Sequence, residues 1–430
     1  MKSRVILSAL TVLALPAQLS AQANAERIES ATQRIAPDII RIRQSIHQNP
    51  ELGNREFHTA EQVASHLRSL GLEVHQKIAH TGVVGILRGG RPGPVIAVRA
   101  DMDALPVTEQ TSYPFPSAVK AMYNDQEVGV MHACGHDIHV AVQLGVASVL
   151  AGMRAQLPGT VLFVFQPAEE GAPEGEEGGA ELMLKEGVFK LARPEAVFGL
   201  HAAGALDVGE ITYTAGPAYA ASDRWSVTLR GQQAHGAAPQ LSVDPTVMAA
   251  EAVLALQTIR SRNFDPMEPG VVSVGIMRGG ERNNIIPMTV YLEGTARTFS
   301  DAARDLVEKR MGEILKGIAA TNGGTADFVY DRGYPVTVND VALTRRMVPT
   351  IERVLGRQRV NETGPNTASE DFSFFAREVP GFYYSLGTQK PGTKSGGHHT
   401  PTFLADDAAI PIGIRVMSNV LLDYLSGGRT

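Results

Sequence analysis

Side chains that bind metal ions are concentrated in five short stretches of the sequence. The most specific stretch is HACGHDIH at 132–139, which places Cys134 two residues before His136. Thiolate and imidazole are the usual ligands of zinc-like ions, so this Cys-x-His pair indicates a metal site. The other four stretches are Asp101-Met102-Asp103, the adjacent Glu169 and Glu170, the single His201, and the adjacent His398 and His399.

Each stretch taken alone has an ordinary structural explanation. A histidine after a strand is more often hydrogen-bonded than metal-bound, adjacent glutamates usually form a solvated face, and Asp-x-Asp is common in loops. Cys134 is the only cysteine and cannot form an internal disulfide, so it is a buried apolar side chain, a reactive thiol or a ligand. The occurrence of all five stretches in one chain favours a metal site.

Amide hydrolysis is a reaction that such a site supports. A bound metal ion lowers the pKa of its water from about 15.7 to about 7, and two ions about 3.5–4 Å apart can share a hydroxide and polarise a carbonyl. Two adjacent carboxylates can then have different roles. One binds metal, and the other carries a proton from water to the leaving amine. Glu169 and Glu170 fit this division.

The elements that must position these stretches are short apolar runs that alternate with helical stretches. The runs are Val83–Leu87, Val95–Val98, Val161–Phe165 and Ala196–Leu200, and the helical stretches are Ala36–Ile46, Ala60–Leu70, Val140–Met153 and Ala180–Glu186. This alternation predicts an α/β domain with a largely parallel sheet flanked by helices. Ligands bind beyond the carboxyl ends of such strands, and Asp101, Glu169 and His201 follow three of the runs.

The middle of the chain has a different pattern, which predicts an inserted domain over 216–332. Its elements follow the order β-α-β-β-α-β of a ferredoxin-like α+β unit. They are Trp225–Leu229 (strand), Pro245–Arg260 (helix), Gly270–Met277 and Met288–Arg297 (strands), Asp301–Ala320 (helix) and Ala326–Tyr330 (strand). Residues 26–215 and 333–430 then form the metal-binding catalytic domain. Its second part is predicted to contain a helix at Asp340–Leu355, a strand at Phe382–Leu386 and a helix at Ile410–Leu425.

The N-terminus has the layout of a secretory signal peptide over residues 1–25. Lys2 and Arg4 precede an apolar run at Val5–Ala17, and small residues follow at Ala23-Asn24-Ala25. The run is too short to span a membrane. We therefore expect cleavage after residue 25 and an exported, periplasmic protein without a membrane contact; an uncleaved anchor is the alternative. A formal net charge of −6 gives no reason to expect a nucleic-acid partner.

With these residues placed, the sequence resembles the amidohydrolase subfamily of dinuclear metallopeptidases. This subfamily includes hippurate hydrolases, indole-acetyl-amino-acid hydrolases and bacterial N-acyl-L-amino-acid amidohydrolases, within a wider aminoacylase–carboxypeptidase family. The matching motifs are RADMDALP (99–106), MHACGHD (131–137), QPAEEG (166–171), GLH (199–201), QAH (233–235), NIIP (284–287), GTAR (294–297), SEDF (369–372) and HHTP (398–401).

The resemblance implies a metal-dependent hydrolase that cleaves the amide bond of an N-acyl amino acid or a similar small conjugate. It implies two divalent ions, Mn or Zn with Co or Ni as alternatives. The ligands would be Cys134, His136, Glu170, His201 and His399. We choose His399 over His398 because the ligand of the family directly precedes a Ser/Thr-Pro pair, here Thr400-Pro401.

The resemblance also implies roles outside the ligand set. Glu169 would be the general base and acid, and Asp103 would fix the orientation of the ligands. The inserted domain would act as a lid and as a homodimer interface. Its His235 would stabilise the oxyanion of the scissile carbonyl in its own subunit or in the neighbouring one. Asn284 and Arg297 would contact the polar end of the substrate.

The chain departs from the family pattern after His235, where GAAPQ at 236–240 replaces the usual Ala-x-Pro-His. An acidic loop at 173–178 (PEGEEG) follows the glutamate pair, and we interpret it as a solvated loop. Two alternative functions remain at this point. One is a dipeptidase or carboxypeptidase with the same metal site, and the other is an exported solute- or metal-binding protein.

Overall fold

The computed structural model describes residues 14–427, which form two compact units. The apolar run predicted as part of a signal peptide therefore lies largely outside the described residues. Among the residues that are described, no helix is long and apolar enough to cross a membrane. The first unit comprises the chain up to Gly216 together with Asn339–Thr363 and the segment from Phe375 onward. The second unit comprises Pro217–Val338 and Gly364–Phe374.

The first segment of the chain supplies most of the first unit. In chain order its elements are α1 (Ala14–Gln48), α2 (Phe57–Ser69), β1 (Glu73–Ile78), β2 (Gly82–Arg88), β3 (Arg91–Asp101), β4 (Lys120–Tyr123), β5 (Gln126–Gly129), α3 (His136–Gly152), β6 (Pro158–Gln166), α4 (Gly179–Lys185), α5 (Val188–Leu191), β7 (Ala196–Asp207) and β8 (Ile211–Tyr213).

The next segment of the chain supplies most of the second unit. Its elements are β9 (Gly216–Tyr219), β10 (Ala221–Arg230), β11 (Ala234–His235), α6 (Pro245–Thr258), β12 (Gly270–Gly279), β13 (Ile285–Ile286), β14 (Thr289–Thr298), α7 (Asp301–Thr321) and β15 (Thr325–Arg332). The remaining elements are β16 (Thr337–Asn339), α8 (Val341–Leu355), β17 (Val360–Glu362), α9 (Phe372–Glu378), β18 (Gly381–Gln389) and α10 (Ala409–Leu425).

The sheet of the first unit has the order β1-β2-β6-β3-β7-β18-β8-β17. The central strands β6, β3, β7 and β18 are parallel to one another, which confirms the α/β prediction. β2, the predicted run Val83–Leu87, is instead antiparallel to both of its neighbours. Its hairpin with β1 explains this direction, because a tight connection such as the one at Ala79 and His80 joins only antiparallel strands.

Helix α3 is part of the apolar core that surrounds this sheet. Its apolar residues are distributed around the whole helix, which is typical of a helix that is buried all round, and nearly all of its side chains are buried. It packs against α1 and α10 as well as against β3 and β7. The ends of α3, β3 and β7 are thereby fixed relative to one another.

The second unit has the predicted ferredoxin-like arrangement. Its antiparallel sheet has the order β12-β14-β10-β15. Trp225, Val227 and Leu229 alternate with more exposed residues along β10 and are buried. Helix α7 buries a stripe of apolar residues at helical spacing, and the Ser300 hydroxyl caps it by accepting a hydrogen bond from the Ala303 amide at 3.0 Å.

Candidate metal centre

Cys134 lies in the turn before α3, and His136 is the first residue of that helix. Gly135 has φ 91°, in the left-handed region, and a Cβ at this position would lie 2.7 Å from the Ala202 Cβ. Only glycine fits such a turn without strain. Helix α3 begins at His136 rather than near Val140 as predicted, so His136 and Asp137 lie in its first turn.

Cys134 lies within reach of ligand atoms from two other segments. Its Sγ is 3.5 Å from Nε2 of His201 and 3.5 Å from Nδ1 of His398. The ligand atoms of Cys134, His136 and His201 lie within 4.8 Å of one another, and those of Cys134, Glu170 and His399 do so as well. The structure thus brings all five predicted ligands into two overlapping groups.

His136 is oriented for metal binding. Its Nδ1 is 2.8 Å from the Asp103 carbonyl oxygen, so Nδ1 carries the proton and donates it. In the neutral ring, which is the form that binds metal, Nε2 is then the acceptor, and it is buried without a hydrogen-bond partner. It lies 3.8 Å from Oε2 of Glu169 and 3.9 Å from Oε1 of Glu170. An orphaned imidazole nitrogen that faces carboxylates fits a bound cation.

Glu169 and Glu170 lie on the loop that follows β6. Asp103, on the loop after β3, accepts a hydrogen bond from the Glu170 amide through Oδ2 at 2.9 Å. The Glu170 carboxylate points toward His399, with Oε1 3.0 Å from Nε2. Asp103 therefore contacts the glutamate loop and His136 together, and its orienting role stays a prediction.

His201 lies inside β7 rather than after its end as predicted. The strand continues to Asp207 because β18 pairs with it in parallel from Val197 onward. The Nδ1 of His201 is 2.8 Å from the carbonyl oxygen of Ala202 and donates to it, which directs Nε2 toward Cys134.

Both histidines of the motif HHTP (398–401) lie near predicted metal ligands. His399 has φ 63°, its amide donates to the Ala133 carbonyl at 2.9 Å, and its ring faces Glu170. His398 faces Cys134 through Nδ1, and its Nε2 accepts a hydrogen bond from the Gly204 amide at 3.4 Å. Because Nε2 accepts this bond, Nδ1 of the neutral ring carries the proton and has no free lone pair for a metal ion. The geometry therefore favours His399, but the choice between them stays a prediction.

A second layer of buried residues supports the centre, and only a weak sequence signal indicates it. His139 lies one turn after His136 on α3; its Nδ1 bonds Asp101 and its Nε2 accepts from the Ala202 amide at 2.7 Å. Asp101 also accepts a hydrogen bond from Arg99 at 2.7 Å. These bonds join α3, β3 and β7. Cys134 directly precedes α3, Asp103 follows β3, and His201 lies in β7. The i, i+3 spacing of the two histidines was the available sign.

The charges of the centre favour a cation. Burial raises the pKa of the Cys134 thiol well above its usual range, and the Glu170 and Glu169 carboxylates raise it further. Burial opposes protonation of His136, but Asp101 and Asp103 outweigh burial and raise its pKa to about 10. Ligands of this kind must be deprotonated to bind metal, and divalent charge supplies the compensation that makes this possible.

The other predicted site residues belong to the second unit. His235 is exposed on the two-residue strand β11, pairs with Ile285, and accepts a hydrogen bond through Nδ1 from the Ala237 amide at 2.9 Å. Asn284 is a neighbour in this ladder, since its carbonyl accepts from the Gly236 amide at 2.8 Å. Arg297, on β14, donates to the Ser369 hydroxyl at 3.0 Å. Their roles toward substrate stay predictions.

The acidic loop at 173–178 is tied to basic and amide side chains. Arg55 and Asn54 donate to the Glu176 carboxylate, and Lys185 donates to Glu177 at 2.8 Å. Within residues 14–427, these acids are not part of any group with metal-ligand spacing.

Comparison with known proteins gives consistent results. Residues 97–423 match the sequence signature of peptidase family M20/M25/M40. The chain is 36% identical over 393 residues to thermostable carboxypeptidase 2 of Saccharolobus solfataricus, covering 90% of this chain and 95% of the relative. It is 37% identical over 389 residues to N-acetylcysteine deacetylase of Bacillus subtilis, covering 90% and 97%. A solved structure of a dinuclear metal-binding peptidase from Bacillus subtilis is similar with a TM-score of 0.77 and 32% identity, over 92% of this chain and 99% of that chain.

Proposed function

The chain belongs to the peptidase family M20/M25/M40, and we propose that it hydrolyses the amide bond of N-acyl amino acids with two divalent metal ions. The observation that carries the proposal is the position of Glu169. This carboxylate is 3.8 Å from the orphaned Nε2 of His136, so a proton-carrying group lies directly beside a candidate ligand. A protein that only binds a solute or a metal has no use for that arrangement.

The residues that would hold the ions are Cys134, His136, Glu170, His201 and His399. When bound, the ions would supply a water of lowered pKa and would polarise the amide carbonyl. We take Mn or Zn as the native metal, because thiolate, imidazole and carboxylate ligands in one set suit borderline ions of this type.

Glu169 would do the proton chemistry. Its carboxylate takes a proton from the attacking water and delivers it to the nitrogen of the leaving amino acid, since the C–N bond breaks only when the amine leaves protonated. Asp103 keeps the adjacent Glu170 backbone in place through its 2.9 Å hydrogen bond. His235 would donate a hydrogen bond to the developing oxyanion. Asn284 and Arg297 would bind the polar end of the substrate.

We further propose that the protein works as a homodimer through the second unit. Several large apolar side chains of that unit are exposed, among them Leu254 on α6 at 74% and Met277 on the edge strand β12 at 51%. Exposed apolar residues on a helix and a sheet edge are typical of a surface that another chain covers.

The substrate class rests on what the relatives are. The Bacillus subtilis relative deacetylates N-acetylcysteine, which is an N-acyl amino acid, so we favour this class. The carboxypeptidase from Saccharolobus solfataricus supports a second candidate, cleavage of a C-terminal residue from a small peptide. Both candidates use the same metal centre and differ only in what flanks the scissile amide.

A substrate screen decides between the two. Purified mature protein loaded with Mn²⁺ or Zn²⁺ is incubated with N-acetyl amino acids, N-benzoyl amino acids and unblocked dipeptides, and the released amino acid is quantified. We expect release from the N-acyl series, with Glu169→Gln as the inactive control. Faster release from the unblocked dipeptides than from any N-acyl amino acid would favour the second candidate, cleavage of a C-terminal residue from a small peptide. No release from any of them would reject the proposal.

We also propose that the protein is exported after cleavage near residue 25. Among the side chains described from Gln22 onward, the first that is fully buried is Ile28. The packed part of α1 thus begins just after the proposed cleavage point, and removal of the preceding residues would leave the core intact. N-terminal sequencing of the protein from its host tests this; a cytoplasmic protein that retains Met1 would refute it.

A further inference from the structure

Glu56 is a buried carboxyl group that no step of the proposed reaction uses. It directly precedes α2, and its side chain is fully buried. Its Oε1 accepts a hydrogen bond from the Ala168 amide at 2.9 Å, and its Oε2 accepts one from the Thr81 hydroxyl at 2.5 Å. Burying a carboxyl group costs free energy unless hydrogen bonds compensate for the lost water, and these two bonds provide that compensation.

The Ala168 amide belongs to the loop that carries the glutamate pair. Ala168 has φ 50°, in the left-handed region. A residue with a Cβ adopts this conformation rarely and keeps it only where the surroundings hold it. The hydrogen bond from its amide to Glu56 is one such support, because it fixes the peptide group at the point where the chain turns toward Glu169.

The backbone on the other side of Glu169 is held in the same way. The Glu170 amide donates to Oδ2 of Asp103 at 2.9 Å. The two amides that flank Glu169 are therefore each bound by a carboxyl group, one from the segment before α2 and one from the loop after β3. This pair of bonds sets the direction in which the Glu169 and Glu170 side chains leave the loop.

The segment 51–56, which we call the bracing segment, also packs against the loop directly. A Cβ on Gly53 would lie 2.9 Å from the Gly171 carbonyl oxygen, so the two backbones are in close contact. The Glu51 carbonyl accepts a hydrogen bond from the Ala104 amide at 2.8 Å, next to Asp103. The bracing segment thus contacts both the loop of Glu169 and the loop of Asp103.

We propose that Glu56 is a positioning residue for Glu169 and Glu170, acting through the Ala168 amide. The proposal rests on the proposed function, in which Glu169 carries the proton and Glu170 binds metal. Glu56 acts as a hydrogen-bond acceptor rather than as a charge. A neutral glutamine can therefore replace it, with its carbonyl oxygen on Ala168 and its amide group donating to the Thr81 hydroxyl.

The test compares Glu56→Ala with Glu56→Gln in the full mature protein. In Glu56→Ala we expect kcat to fall by about 10-fold or more with little change in KM, because a 1 Å misplacement of a reacting group costs about 10²-fold. We expect Mn²⁺ affinity to fall by about 10-fold to 100-fold, as on loss of an outer partner of a ligand. Glu56→Gln should retain both within about 3-fold.

Glu51→Ala is the matched control from the same segment. Its carboxylate accepts hydrogen bonds from the His58 and Thr59 amides at 2.9 and 2.8 Å and so caps α2, away from the glutamate loop. We expect this variant to lower the melting temperature but to keep Mn²⁺ affinity and kcat. If Glu56→Ala does not fold, Glu56→Asp takes its place, because the shorter side chain withdraws the acceptor from Ala168.

Three results would overturn the proposal. They are a Glu56→Ala variant with normal Mn²⁺ affinity and kcat, a Glu56→Gln variant as damaged as Glu56→Ala, and a Glu51→Ala variant with the same catalytic loss. The Mn²⁺ affinity, measured by equilibrium dialysis, tests the role of Glu56 independently of which reaction the protein catalyses. If Glu169→Gln retains full activity, the assigned reaction is wrong, whereas the dialysis still tests the role of Glu56.

Discussion

The two units of the protein hold their candidate functional residues in opposite ways. In the first unit His136, Asp103 and Asp101 are almost fully buried, and each is bound by partners from other elements. In the second unit His235 is exposed on a two-residue strand, and its ring accepts a hydrogen bond from the amide of Ala237, two residues away.

This difference indicates that the first unit would hold the metal ligands in fixed positions, whereas the second unit would supply a group that contacts the transition state. Ligands that must converge on a cation of fixed size need rigid support, and the helices and strands of the core provide it. A group that stabilises only the transition state gains from being able to approach and withdraw, which an exposed loop allows. We expect changes to the ligands of the first unit and to the residues that support them to alter metal binding, whereas changes in the second unit should leave metal binding intact.

The largest expected effect comes from the adjacent glutamates of the first unit. Glu169→Gln keeps a similar shape but cannot take a proton, so kcat should fall by about 10²–10⁴-fold while metal is retained. Glu170→Gln should instead lose metal, because a neutral amide is a poor replacement for a carboxylate ligand. Turnover assays and metal content by mass spectrometry distinguish the two. Equal metal loss in both variants would reject the division.

The second-largest expected effect comes from His235 in the second unit. His235→Ala should lower kcat by about 10²–10³-fold, as is usual for loss of an oxyanion donor, and leave both metal ions bound. Mixing this variant with Glu169→Gln tests whether the residue serves the neighbouring subunit. Recovered activity in hybrid dimers supports action across the dimer, whereas inactive hybrids show that it acts within its own subunit or not at all.

A smaller effect is expected when one polar residue of each unit that does not carry the proton is replaced. Asp103→Ala removes the acceptor of the Glu170 amide and should weaken Mn²⁺ binding by about 10-fold to 100-fold. Asn284→Ala, its counterpart in the second unit, should leave Mn²⁺ affinity unchanged and raise KM. Calorimetric titration of both variants measures this. A loss of metal affinity in Asn284→Ala would break the contrast between the units.

The smallest effect is a pH dependence of the stability of the first unit. His47 is buried between Asp137, 2.7 Å from Nδ1, and Glu109, 3.3 Å from Nε2. Burial lowers the pKa of His47, but Asp137 and Glu109 outweigh it, so the pKa lies above the usual value. The stabilisation is therefore complete below about pH 6.5 and is lost as pH rises through the folded-state pKa.

Urea unfolding of metal-free protein between pH 6 and pH 9 measures this dependence. The free energy of unfolding should fall with pH by at most about 1.4 kcal/mol per pH unit for this one group. His47→Gln, which can still donate but does not titrate, should remove that part of the slope. An unchanged slope in the variant would show that His47 does not carry the charge.

The sequence by itself determined the chemistry and the order of the elements. Cys134, His136 and the glutamate pair, taken with the other histidines, indicated a metal site, and the motifs around them resemble those of metal-dependent amidohydrolases. The α/β alternation and the ferredoxin-like insertion follow from the periodicity of apolar residues, which records the faces that each element buries.

Only the tertiary structure decided how the centre is supported. Glu56 and the Ala168 amide are 112 residues apart, and nothing local to either position indicates their hydrogen bond. The position of His201 inside β7 follows from pairing with β18, a strand that comes almost 180 residues later in the chain. Periodicity reports which side of an element is buried, whereas the partners that meet there depend on how distant segments pack, and that information is not contained in any one stretch of sequence.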